Sequence, residues 1–140
     1  MNEIIETKGT LIFDSWIDDL PELRGDNIED RHLIYEGGGI ILDLLIKMDE
    51  TRNSLHVGGQ VLPEGHSLDD VSDLRVSIEH GKGRSHTYTN ALGEFAFHTV
   101  PNGTLDLAIT LKDRRFTVYG LSNKEPRLWR IVPSMALGGD

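Results

Sequence analysis

Along most of this chain apolar and polar residues take turns, and a period of two predicts β-strands with one face buried. Leu74, Val76 and Ile78 alternate with Arg75, Ser77 and Glu79, and Leu105, Leu107, Ile109 and Leu111 alternate with Asp106, Ala108 and Thr110. Phe95 and Phe97 point one way while Glu94, Ala96 and His98 point the other. Ile40, Leu42, Leu44, Ile46 and Met48 form another inward row, as do Leu55, Val57, Gly59 and Val61. Phe116 and Val118 open a last strand that Gly120 ends. Turn-forming residues fall between these runs, at 49–53, 81–83, 90–93, 101–103 and 112–114. Gly37-Gly38-Gly39 predicts a hairpin turn between strands at 32–36 and 40–49, and Ser67 to Asp70 has the form of a capping box for one helical turn. Strands this short, each able to bury one face, predict an all-β Greek-key sandwich of about seven to nine strands.

Two segments stand outside the main block. An N-terminal extension, residues 1–31, carries one predicted strand at 10–16, followed by an acidic loop. The sandwich domain spans 32–121, and a C-terminal tail, 122–140, holds an apolar stretch at 128–137 broken by Pro133. In the extension, Leu11 and Phe13 are expected on one strand face and Ile12 and Trp16 on the other. A strand apolar on both faces is expected to cover a sheet edge, in its own sandwich or in another chain. Leu11, Phe13, Trp16 and, in the tail, Trp129 are therefore the candidate interaction residues.

Composition narrows the function classes. With 140 residues the chain holds one core, and without cysteine it has neither disulfides nor thiolate metal sites. No apolar run approaches the roughly 20 residues that span a bilayer, so no membrane partner is expected. The polar, acidic residues 1–8 differ from a secretory leader, and the expectation is a cytoplasmic protein. The net charge is −9 and uneven: residues 1–70 carry 16 acids and 5 bases, or −11, and residues 71–140 carry 7 acids and 9 bases, or +2. A C-terminal basic set (Lys112, Arg114, Arg115, Lys124, Arg127, Arg130) is diluted by acids, which argues against nucleic acid as a partner.

Residues 89–111, TNALGEFAFHTVPNGTLDLAITL, resemble the signature hairpin of the carboxypeptidase regulatory-like domain, a transthyretin-like sandwich. Gly93, Phe95, Phe97, Pro101 and Gly103 fit that pattern in register, while Asn90 and Leu105 replace a usual aspartate and a common aromatic. The resemblance extends over residues 54–121, with 55–62 similar to the opening strand and 74–79 to the second. It implies a non-catalytic module. Stand-alone bacterial domains of this kind are associated with sigma-factor regulators and caspase-like peptidases, so the implied partner is another protein of that sort, with a homo-oligomer as the alternative.

Candidate chemistry is thin. No histidine has glutamate three residues later, as a carboxypeptidase zinc site requires, and no serine sits in a Gly-x-Ser-x-Gly elbow. No catalytic residue and no cofactor are therefore expected. If Phe95 pairs with Thr89 across a hairpin, His86 and His98 become cross-strand neighbours, a weak candidate pair for a metal ion that lacks a third ligand. The functional expectation is a non-enzymatic interaction module; the alternatives are a small-molecule or metal-binding protein and a structural subunit that assembles through its extensions.

Overall fold

The computed structural model of the chain describes residues 5–15, 30–64, 70–112 and 114–122. Within them ten strands follow in chain order: β1 (Ile5–Lys8), β2 (Thr10–Asp14), β3 (Arg31–Gly37), β4 (Ile40–Asp49), β5 (Ser54–Pro63), β6 (Arg75–His80), β7 (Gly83–Tyr88), β8 (Glu94–Pro101), β9 (Leu105–Thr110) and β10 (Arg114–Leu121). They form two five-stranded sheets, the first in the order β1-β10-β9-β6-β7 and the second in the order β2-β3-β4-β5-β8. The protein is an all-β sandwich, one strand richer than the upper expectation.

The inward rows are those the alternation predicts. Ile40, Leu42, Leu44 and Ile46 from the second sheet meet Val76, Ile78, Leu105, Leu107, Ile109 and Phe116 from the first, all essentially without solvent contact. Phe95 and Phe97 complete the core with ring centroids 6.2 Å apart, edge to face. The predicted glycine hairpin is also present: Gly38 and Gly39 join β3 to β4 with φ of 59° and 86°, left-handed geometry that favours a residue without Cβ.

The stretch at 89–111 folds differently from the expected hairpin. β7 belongs to the first sheet, β8 to the second, and β9 to the first again. The turns at 90–93 and 101–103 therefore carry the chain across the sandwich and do not close hairpins within a sheet. β8 pairs with β5, while β9 returns beside β6. Gly93 sits at the first crossing, its carbonyl accepting from Val61 N at 2.8 Å. With φ of 81°, a Cβ there would lie 2.2 Å from Val61 O, so no larger residue fits without moving the backbone. The predicted helical turn falls largely on 65–69, outside the described residues; Asp70 accepts from both the amide and the hydroxyl of Ser72.

The N-terminal extension provides two strands where one is predicted, and they enter both sheets. β1 runs parallel to β10, β2 runs antiparallel to β3, and Gly9 between them donates its amide to Thr117 O at 2.7 Å. Ile12 is an extra residue in the β2–β3 ladder: Leu11 pairs with Tyr35, and Phe13 already pairs with Ile34. That bulge breaks the alternation, so Leu11 and Phe13 face opposite sides of the sheet, contrary to expectation. Asp14 then turns inward. Its carboxylate takes a two-pronged contact from Arg31, at 3.1 and 2.6 Å, while the guanidinium also donates to Ser122 O at 2.9 Å. This buried pair pins β2 and β3 to the end of β10.

Candidate interaction surface and its histidine pair

Outward residues of the two sheets differ in chemistry, and the difference locates the candidate site. On the first sheet the outward side chains are polar and engaged with one another. Tyr119 and Thr117 both donate to a Glu6 carboxylate oxygen, at 2.5 and 2.9 Å, and hold that carboxyl below its usual range. Arg84 pairs with Glu79 at 2.7 Å, and Gly120 N donates to Asp106 at 3.0 Å. A shallow polar depression lies between them, lined by Ser77, Arg115 and their neighbours.

On the second sheet the outward rows are mixed. One row reads Phe13, Ile34, Asp43, Gln60, Glu94 across the five strands, the next His32, Leu45, Gly58, Ala96. Glu36, Ile41 and Leu62 form a row on one side of these. Ile34, Ile41 and Leu62 are half-buried and Leu45 is exposed, so this solvent-facing sheet carries aliphatic side chains grouped around Asp43 of its central strand. His32 edges onto the Phe13 ring with centroids 5.4 Å apart, and its Nε2 lies 2.5 Å from Asp43 Oδ1. At the margin, β2 is an edge strand whose Leu11 and Ile12 are 43% and 49% exposed.

The remaining row of this face holds Lys47 opposite His56, with His98 beyond it. Here the β5–β8 ladder bulges: Leu55 pairs with Val100 and Val57 with Phe97, so His98 and Thr99 together oppose His56. Phe97 and Val100 are buried on either side, and both intervening residues are exposed. The imidazoles of His56 and His98 have centroids 5.2 Å apart and planes tilted by 48°. The His56 ring lies over Gly58, its Nε2 3.5 Å from where a Cβ of that residue would stand, an ordinary contact distance. Partial burial, with His98 and Lys47 beside it, pushes the His56 pKa below its ordinary value.

The residues singled out from sequence fall as follows. His86 and His98 are not neighbours, because their strands belong to different sheets; His86 lies against Tyr88, with centroids 5.8 Å apart. Leu11 and Phe13 are both at the β2 margin, whereas Trp16 and Trp129 lie outside the described residues. His56, Ile34, Leu45 and Asp43 are the members of this surface that sequence reasoning passed over. Their outward parity was legible, but knowing that β5 adjoins β8 is needed to bring His56 to His98.

Among the described residues no group of three or more His, Cys, Asp and Glu side chains is placed to hold a metal ion. No described helix is long and apolar enough to cross a membrane. No protein-family profile, no curated protein and no solved structure matches this chain.

Proposed function

We propose that this chain is a non-enzymatic protein-interaction module of the carboxypeptidase regulatory-like, transthyretin-like kind, acting in the bacterial cytoplasm as an accessory of a signalling or regulatory system. The observation that carries the reading is the group of apolar side chains on the second sheet's outer face, running from Phe13 and Ile34 to Leu45 around Asp43 and continuous with the exposed margin of β2. A solvent-facing sheet normally carries polar side chains, and aliphatic side chains grouped around the His32–Asp43 contact, with Lys47 and Glu94 toward the margins, have the make-up of a protein contact. The partner is a protein such as a sigma-factor regulator or a caspase-like peptidase, with a second copy of the chain as the alternative.

The test is capture of partners from native cells with the full chain and with Leu45→Asp, followed by mass spectrometry. Loss of a captured protein with Leu45→Asp, at unchanged thermal unfolding, supports the reading. Retention of that protein by Leu45→Asp, together with its loss on Arg115→Glu on the opposite face, would refute it.

A further inference from the structure

The His56–His98 pair does more than decorate this surface. Two imidazoles that each bind a tetrahedral ion through one nitrogen, at metal–nitrogen distances of about 2.0–2.1 Å, have ring centroids about 5 Å apart. The observed centroid separation is 5.2 Å, and the 48° tilt rules out face-to-face stacking of the rings. From this geometry we propose that His56 and His98 form a two-imidazole site for a borderline divalent transition ion of the Zn2+ class.

The elements that build the site are specific to this place. β5 and β8 are adjacent antiparallel strands in the middle and at the edge of the second sheet, so the backbone fixes both Cα positions. The bulge on β8 turns Thr99 to the same face as His98, beside the His56 ring. Lys47, directly opposite His56, sets an upper bound on affinity because its ammonium repels a cation. With two protein ligands, the remaining coordination positions stay open to water. They are also within reach of a donor on whatever protein covers the face.

Zn2+ alone is the probe, titrated into the full chain by calorimetry, with the imidazole signals followed by NMR. One equivalent should bind, and the signals of His56 and His98 should move together. Loss of an outer-shell group alone commonly weakens a metal site by about 10–100-fold, so His56→Gln or His98→Gln should each cost at least about tenfold in affinity. His86→Gln, on the other sheet, should leave affinity unchanged. The proposal is overturned if the double variant His56→Gln/His98→Gln binds Zn2+ as tightly as the unaltered chain. It is equally overturned if neither imidazole signal moves in the unaltered protein, a readout that does not depend on any variant folding.

Discussion

The outer face of the first sheet and that of the second share one core and one alternating pattern, yet they solve the problem of solvent exposure in opposite ways. On the first, charges are satisfied by near neighbours: Glu6 by Tyr119 and Thr117, Glu79 by Arg84, Asp106 by a backbone amide. Even Glu79 opposite Asp106, a like-charged pair in register, is relieved by Arg84. On the second, the aliphatic Ile34, Ile41, Leu45 and Leu62 surround a single ionisable contact, His32 with Asp43. A face that is polar and internally paired gains little from being covered, since each contact it would make replaces one it already has. An apolar face gains from cover in proportion to the area removed from water. The bulges sharpen the contrast. The extra residue on β10 follows Tyr119, which is held in an internal contact with Glu6, and the extra residue on β8 follows His98, which faces the open surface.

The largest test of that comparison concerns the core both faces share. Phe97→Ala should cost about 3–5 kcal/mol through lost burial and a residual cavity, and His98→Ala, its outward neighbour, less than about 0.5 kcal/mol. Chemical denaturation measures both; similar costs would mean that the inward and outward sides of β8 are misassigned. A smaller effect separates the two faces by pH. The His56 pKa is depressed from 6.5, chiefly by burial, so the unfolded chain takes up a proton there before the folded one. Stability should therefore be full above pH 6.5 and should decline as pH falls through that value, a decline that His56→Gln removes. Glu6 is depressed from 4.5, chiefly by its hydrogen bond from Tyr119. Its contribution is present above pH 4.5 and is lost as pH falls below that value, and Tyr119→Phe should reduce that acid loss. Thermal unfolding across pH would show two separate windows, one for each face. The smallest effect belongs to Arg84→Ala, which removes an exposed ion pair and should change stability by less than about 0.5 kcal/mol.

What was legible in the sequence was parity. Leu42 and Asp43, or Phe97 and His98, reveal which side of a strand is buried because solvent acts on each residue directly. Partner choice is a different matter. Nothing in residues 89–111 states that β8 crosses to the other sheet, because a Pro-x-Gly turn closes a hairpin or an arch equally well. The choice is made by the whole core, in which Phe95 lies over Gly59: a Cβ on Gly59 would meet the Phe95 ring at 2.6 Å. The bulge at Ile12 was hidden for a related reason. It adds a residue without changing composition, and it silently put Leu11 and Phe13 on opposite faces. The candidate site was read least well because it depends on hidden information of the first kind, the adjacency of β5 and β8.

The pairing of β1 with β10 sets a timetable for folding. Ile5 lies opposite Arg114 and Thr7 opposite Phe116, so β1 has no ladder until nearly the whole sandwich sequence has left the ribosome. Four strands of the second sheet are under no such delay, because β2 through β5 are joined by successive antiparallel ladders, with β8 added later. Those four can assemble during synthesis, with their inner face waiting for the first sheet to cover it. Until β10 arrives, β1 is a short unpaired ribbon, and its Ile5, 67% exposed even in the finished fold, gains little cover from that pairing. Moving β1 to follow β10, in a circularly permuted chain, should shorten that wait and speed refolding while leaving the final structure unchanged.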